Sequence, residues 1–488
     1  MSTLRKVFSD SAFTAFRSIV SVARGLVVIP LITNLLGAGS YGVWVTILSV
    51  VGLLSSTGGI HLHGSLVRYT SQEETENQTY SDILFFASGI GISLGVMVIF
   101  FGTAVDISYL LEGEVADQTT LAIVSALLIL SSILFTININ FPRAKGYIKL
   151  YDLSKLTRLL LEIIVLLAVF LFGGEIIAGL AALFGISIGM NVGIMSIVFV
   201  KFDLPVPDPT NFRQYLSYGL PMVPKALSSK LLADADKYLL LYFLGPATVG
   251  IYAVSRAISR PMVKLTGIFN PTLYPTISQE WDDGNFSEIA TVYRTIFRFY
   301  SIIGIPAVVG IIFLAEPLLI LISTSEIAQK GLILVPIFIL GYFLKGYDNS
   351  IRYILTSAER TDIIAGSVIL TVVFNILLNL LLIPQFGMIG AAFATLSSHI
   401  LLFLITLYYS LSLIQINIPW GTIARSTLSA LIMGMSLLLM DRSGGVYWNL
   451  VSYPVAGVTV YFFVLLLSGE FSKSEIEDIK KELKNALS

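Results

Sequence analysis

Residues 216–255 read LSYGLPMVPKALSSKLLADADKYLLLYFLGPATVGIYAVS. Apolar residues dominate as far as Phe243, a Gly245-Pro246 step interrupts them, and a second apolar run follows. An apolar window of about 20 residues can span a bilayer, so the stretch reads as two membrane helices joined by a turn. Lys230 nevertheless sits about fourteen residues into the first helix, and Arg256 and Arg260 lie about nine and thirteen residues into the second. Arg24 occupies a comparable depth in an earlier apolar block. A cation at the bilayer centre costs about 2.5–3.5 kcal/mol on the insertion scale. Four of them facing lipid would cost on the order of 10 kcal/mol, comparable with the stability of a whole fold. They are tolerable only around a polar cavity, beside counter-ions, or against an anionic ligand. The chain therefore reads as a membrane protein whose interior handles charge.

Composition agrees. Of the 488 residues, 55% are hydrophobic and only 12% charged, and the mean hydropathy is +0.85, outside the usual range of soluble domains. Fourteen apolar windows follow, at 12–35, 41–64, 82–104, 119–138, 156–173, 176–200, 216–243, 247–277, 289–315, 331–355, 362–383, 389–413, 421–440 and 449–468. The block at 247–277 is long enough to bend at Pro261 or Pro271. An even number of spans puts both termini on one side, and the positive-inside rule selects it. With the N-terminus cytoplasmic, the inner segments collect Arg5, Lys6, Arg68, Arg143, Lys145, Lys149, Lys155, Lys201, Arg213, Arg360 and the tail lysines. The outer loops keep Lys330 and Arg442, while Asp106, Glu112, Glu114 and Asp117 crowd one of them. The expectation is an all-α, multi-pass protein of the plasma membrane with both ends cytoplasmic.

Several classes drop out. The chain has no cysteine, which removes disulfides, thiolate metal sites and cysteine nucleophiles. The polar stretch Ser2–Asp10 precedes a long apolar block, so that block reads as the first span and not as a cleaved signal. No glycine-rich phosphate loop ending in Lys-Ser or Lys-Thr occurs, so no ATP hydrolysis is expected. Net charge is −1; no nucleic acid, metal or cofactor is expected. Ser474 and Glu477 form a capping box ahead of Ile476, Ile479, Leu483 and Leu487, which predicts a cytoplasmic amphipathic helix at 471–488.

An internal repeat organises the spans. Leu36-Gly37-Ala38-Gly39-Ser40-Tyr41-Gly42-Val43-Trp44 returns 208 positions later as Leu244-Gly245-Pro246-Ala247-Thr248-Val249-Gly250-Ile251-Tyr252. Gly179-Leu180-Ala181-Ala182 returns at nearly the same offset as Gly390-Ala391-Ala392-Phe393. Two pseudo-symmetric six-helix lobes follow, 1–210 and 211–415, with two further helices at 416–470 and the tail at 471–488. Parallel repeats of this kind enclose a midplane site in transporters.

The 216–255 stretch also resembles the polysaccharide flippases of the multidrug/oligosaccharidyl-lipid/polysaccharide exporter superfamily. Gly219-Leu220-Pro221, Asp236-Lys237-Tyr238, and Leu244-Gly245 followed by Gly250-Ile251-Tyr252 carry the likeness. Gly59-Ile60 with Arg68-Tyr69, and the PQFGMIGAAFA run at 384–394, add to it; His61 and His63 depart from it. The resemblance implies two lobes that move polyprenyl-(pyro)phosphate-linked oligosaccharide from the cytoplasmic to the outer leaflet. It also implies a glycan-lipid substrate and glycosyltransferases or a polymerase of the same pathway as partners; the chain itself is expected to be a monomer.

Helix geometry selects the candidate residues. Arg17 and Arg24 are seven apart and share a face of span 1; Arg256 and Arg260 share a face of span 8. In span 7, Lys230, Asp234 and Lys237 lie on one side, Lys225 and Asp236 on another. Guanidinium forks suit phosphate oxygens, so Arg24, Arg256, Arg260, Lys230, Arg17 and Lys225 form the candidate substrate-binding set. Asp234 or Asp236 would carry a coupling ion. Against this, Arg17 and Lys237 lie near span ends and could snorkel. Lys230 and Asp234, at i and i+4, could simply neutralise one another. Arg24, Arg256 and Arg260 have no obvious acid on their own helices. Lys345, Asp348 and Arg352 read as a local cluster, and His399 as a hydrogen-bonded packing residue. His61 and His63 point about 200° apart on a helix and cannot share an ion unless Gly58, Gly59 and Gly64 unwind it.

Asp234-Ala235-Asp236 has the spelling of a glycosyltransferase metal motif. Its carboxylates, however, point to different sides inside an apolar helix, and no loop could house a sugar nucleotide, so no catalytic residue is assigned. A multidrug or cation antiporter of the same superfamily would favour acids in its cavity, whereas this chain collects cations. A peptidoglycan-precursor flippase is the nearest rival, because it too needs arginines in its cleft.

Overall fold

The computed structural model describes residues 20–21, 23–70, 76–106, 108–115, 117–268, 270–440 and 445–471, and all regular structure among them is helical. Arg17 and nearly all of the 471–488 tail lie outside the described residues. The helices α1 (Ala23–Leu35), α2 (Gly37–Gly58), α3 (Leu62–Thr70), α4 (Glu76–Ala104), α5 (Ser108–Leu111), α6 (Gln118–Ala144), α7 (Ile148–Leu171) and α8 (Ile176–Lys201) come first. After them run α9 (Phe212–Gly219), α10 (Val223–Ser259), α11 (Asn270–Asp282), α12 (Phe286–Ile322), α13 (Ser325–Gly331), α14 (Leu334–Ser357), α15 (Thr361–Leu413), α16 (Trp420–Leu438) and α17 (Gly445–Leu467).

Nine helical stretches among the described residues are long and apolar enough to cross a bilayer, or ten if the bent pair α13 and α14 counts as one span. Two of the nine, Pro209–Thr266 and Thr361–Leu413, run 58 and 53 residues. At 1.5 Å per residue each is about 80 Å long or more, against a hydrocarbon core of about 30 Å. Both contain a reversal. Gly245 (φ 76°, ψ 175°) breaks α10, and Gly387 (φ 59°, ψ −139°) breaks α15. Side-chain-bearing residues scarcely adopt such angles. The α7 helix falls outside the nine because Lys149, Asp152, Lys155, Arg158 and Glu162 lie on it, and α1 has too few described residues. The bend expected at Pro261 or Pro271 falls at the first, where α10 gives way to a 3-10 stretch, Arg260–Ile268.

Exposure along α17 shows why these helices need lipid. Trp448, Val451, Val455 and Val458, three and four residues apart, are each more than half exposed. Tyr453, Gly457, Tyr461 and Leu465, four apart, are buried on the opposite face. An apolar stripe of that length in water would be an association site; in a bilayer it is the lipid face.

The chain divides into two compact units, Met1–Ala253 with Ile322–Thr324 and Asn379–Gly387, and Val254–Leu321 with Ser325–Leu378 and Met388–Ser488. In the first, buried amides join helices. Asn138 of α6 donates to Asn191 of α8 (2.7 Å), accepts from Tyr80 of α4 (2.9 Å), and Asn191 donates to the Ser131 carbonyl (3.0 Å). Interhelical hydrogen bonds of this sort hold helices together where water cannot.

In the second unit, α12, α16 and α17 pack through Ile302, Met433, Leu437, Tyr453 and Tyr461. Glu470, just beyond α17, ties that end to the start of α16 and to the body of α12. Its carboxylate accepts from Arg298 (2.8 Å), Thr422 (2.7 Å) and Arg425 (3.0 Å). Burial pushes this carboxyl up, but the hydrogen bonds from Thr422, Arg298 and Arg425 outweigh burial and hold it below its ordinary value of 4.5. A depressed carboxyl contributes stability that is fully present above the ordinary value and is lost as pH falls through the lowered one. Glu470→Gln should therefore lower the melting temperature of the purified protein at neutral pH by several degrees, corresponding to roughly 3 kcal/mol. The gap from the parent should narrow on acidification below about pH 4. Equal melting temperatures at pH 7 would show that the cluster does not brace these helices.

Candidate functional site

The repeated turns meet one another in the first unit. A Cβ on Gly42 would collide with the Pro246 carbonyl and stand 3.0 Å from the Gly250 nitrogen. One on Gly250 would collide with the Ala38 carbonyl and stand 3.2 Å from the Gly42 nitrogen. Ala38 and Pro246 are repeat partners, and so are Gly42 and Gly250, so the contact is reciprocal, as a pseudo-two-fold crossing requires. The α5–α6 connection covers both turns: the Glu114 carboxylate lies against Gly39 and accepts from Ser40 (2.7 Å), and the Glu112 carboxylate lies against Gly245.

Below that crossing the first unit holds charge inside its helices. Arg24 of α1 has no acid on its own helix, as expected; its partner comes from another helix. Its Nε lies 2.8 Å from Glu162 of α7, which also pairs with Arg158 at 2.9 Å. One carboxylate is thus shared between two guanidiniums, leaving a net positive charge. In α10, the salt bridge of Asp234 is with Lys237 (2.7 Å), not the expected i,i+4 partner Lys230, and Lys237 also donates to Ser49 of α2 (3.0 Å). Lys230 reaches across to α2, with its Nζ 3.3 Å from where a Cβ of Gly52 would stand. Asp236 is buried; it accepts from the Lys237 backbone (2.9 Å) and from Tyr252 (2.6 Å). Tyr252 lies beyond the Gly245 bend, so this bond braces the reversal. Lys225 is exposed, beside His61.

In the second unit, Arg256 donates to the Tyr342 hydroxyl of α14. Arg260 is exposed at the start of the 3-10 stretch. Both interact electrostatically with Lys345 of α14, as do Arg352 and Asp348. Asp348 is already committed, accepting from Arg352 and from Thr406 (2.7 Å). Arg256, Arg260, Lys345 and Arg352 thus gather cationic charge in this unit, with Asp348 the acid that acts on Lys345. Sequence reasoning set Lys345 aside, although its depth in the 331–355 window is the same signal that selected Lys230.

His399 is 3% exposed and packs against Tyr342 at 5.9 Å between ring centroids, but neither ring nitrogen has a hydrogen-bond partner among the described residues. The expectation of a hydrogen-bonded histidine is corrected to that extent. His61 and His63 were expected to come together only if Gly58, Gly59 and Gly64 unwound the helix; Gly58 and Gly64 stay helical. The helix unwinds at Gly59–His61, and the two rings lie 4.2 Å apart. No cluster of three or more metal-ligating side chains occurs among the described residues.

Comparisons place this architecture among known proteins. The chain is 23% identical to the "Probable flippase AglR" of Haloferax volcanii, over 98% of this chain and 99% of that one. It is 24% identical to the "Probable low-salt glycan biosynthesis flippase Agl15" of the same organism, over 55% and 57%. Among solved structures, the inward closed Lipid II flippase MurJ superposes with a TM-score of 0.75 at 18% identity, over 94% of this chain and 98% of that one. An inward-facing multidrug transporter of the MATE family gives 0.64 at 14%, over 81% and 93%. These two likenesses establish the fold. A family model described as "Polysaccharide biosynthesis protein" matches residues 31–328, more than half of the sequence, and the chain belongs to that family.

Proposed function

We propose that the protein is a flippase that carries polyprenyl-(pyro)phosphate-linked oligosaccharide from the cytoplasmic to the outer leaflet by alternating access of two lobes. The observation that carries this reading is the gathering of Arg256, Arg260 and Lys345 within one another's electrostatic reach in a single unit, which suits the dense charge of a lipid pyrophosphate. Arg24 and Lys230 are the corresponding cations of the first unit. The family assignment and the names of the two Haloferax relatives point the same way. The lobes are residues 1–210 and 211–415, with 416–470 appended. Counting the α13–α14 pair as one span and both halves of α10 and of α15, together with α7 and α1, gives fourteen spans. Both termini are cytoplasmic, which puts the Gly42–Gly250 crossing at the outer end. Asp234 and Asp236, each already holding a lysine or a tyrosine, serve as braces in this scheme more naturally than as ion carriers.

The rival substrate is a peptidoglycan precursor, favoured by the extent of the superposition on the Lipid II flippase. The test is reconstitution into vesicles with a fluorescent polyprenyl-pyrophosphate oligosaccharide, scored by loss of protection from an impermeant quencher. Translocation at least tenfold above protein-free vesicles is expected, without uptake of ethidium. Translocation of Lipid II alone would establish the rival, and ethidium uptake alone would overturn both.

A further inference from the structure

Three features left unused by the transport reading converge where α2 gives way to α3. The first is the backbone. Ile60 and His61 have φ of 48° and 52°, left-handed values that a β-branched residue rarely adopts. A seat for the Ile60 carbonyl against Gly219 holds them there, since any Cβ on that glycine would strike it. The second is what this backbone does to the side chains. It brings the His61 and His63 rings to 4.2 Å, with Lys225 in the field of His61 and Arg143 in the field of His63. Two imidazoles beside two cations make a poor metal site and a good anion site. The third is a cavity of about 640 Å³ on the flank of α2 and α4, lined by Gly58, Ile60, Phe85, Phe86, Gly89 and Leu94 among others. Ile60, a wall of the cavity, is the chain neighbour of His61, and Phe85 and Ile92 on the same helix are more than half exposed on its lipid face.

Positive charge at the head of a single apolar groove that opens to lipid matches one kind of molecule. We propose that this locus docks a single-chain lipid phosphate, with the phosphate at His61, His63, Lys225 and Arg143 and the isoprenoid chain along Phe85–Leu94. The assignment rests on the glycan-lipid reading above for the choice of a polyprenyl carrier over a two-chain phospholipid. Of the cations in the candidate transport set it uses only Lys225.

The test is equilibrium binding of radiolabelled farnesyl phosphate to the purified full-length protein. Two variants probe the two ends of the site. His61→Asn with His63→Gln removes the imidazoles while keeping a residue that tolerates positive φ. Gly89→Leu fills the groove, because a Cβ there meets nothing within 4 Å and the fold has room for it. Each is expected to weaken farnesyl phosphate at least tenfold, whereas Arg256→Ala with Arg260→Ala should leave this binding in place. Inorganic phosphate and farnesol should bind at least a hundredfold more weakly than farnesyl phosphate. Unchanged affinity in both groove variants, or farnesol binding as tightly as its phosphate, overturns the proposal. Equal competition by phosphatidylglycerol overturns the single-chain assignment. Loss of binding only in the Arg256/Arg260 variant also overturns the groove site, while leaving the transport reading intact.

Discussion

Gly42→Ala and Gly250→Ala should each reduce glycan-lipid translocation at least tenfold with little loss of inserted protein. The added methyl at either position lands on a backbone carbonyl, that of Pro246 or of Ala38, and a carbonyl cannot swing aside as a side chain can. The first turns of α2 and of the second half of α10 must then separate. Overpacking of this kind costs about 1–3 kcal/mol, a shift of roughly five- to 160-fold away from any state that needs the crossing closed. Gly189→Ala and Gly193→Ala are the controls, since a Cβ there meets nothing within 4 Å. The chain has no cysteine, so Ser40→Cys reports opening directly: its thiol should react faster when Gly42 is alanine. Parental translocation by both glycine variants would mean that the crossing need not close during the cycle.

The other large effect belongs to Lys345→Met and Arg256→Ala, each expected to reduce translocation at least a hundredfold. What separates a substrate role from a structural one is the sign of the stability change. Lys345 feels the like charges of Arg256, Arg260 and Arg352, while Asp348 also pairs with Arg352 and Thr406, so Lys345→Met relieves repulsion between like charges. The melting temperature should stay level or rise as transport fails. A structural ion pair would do the opposite, stranding a buried acid at about 3–5 kcal/mol; Glu162→Ala, which strips Arg24 and Arg158 of their shared carboxylate, is the comparison for that behaviour. A fall in melting temperature parallel to transport in Lys345→Met would remove it from the pathway.

Much of this was legible because hydrophobicity in a membrane is nearly one-dimensional. The windows 119–138 and 176–200 return as Gln118–Ala144 and Ile176–Lys201, and the two copies of the repeat, at 36–44 and 244–252, lie against each other. What escaped depended on a second helix. Arithmetic on one helix face finds no acid for Arg24, because Glu162 is 138 positions away. It paired Asp234 with Lys230 on spacing alone, while Ser49 on α2 draws Lys237 into place. The window 41–64 ran through Ile60, since nothing local marks an isoleucine for a left-handed conformation that Gly219 imposes from elsewhere. Lys345 was legible and was discounted only because Asp348 and Arg352 stood beside it.

The reversals at Gly245 and Gly387 bear on how the chain enters the membrane in the first place. Each joins two apolar helices with no intervening loop, and Leu244 at the first lies 3.7 Å from where a Cβ at the second would stand. In the orientation proposed above, the connection at 105–118 must carry Asp106, Glu112, Glu114 and Asp117 through hydrocarbon during synthesis. The turns at Gly245 and Gly387 carry no charged side chain at all. Their helices are suited to partition from the translocon as preformed hairpins, two spans in one event, with neither half waiting alone in the lipid. The late-synthesised hairpin at Gly387 would then find Leu244 of the earlier one already in place, giving insertion a fixed order that the folded protein no longer displays.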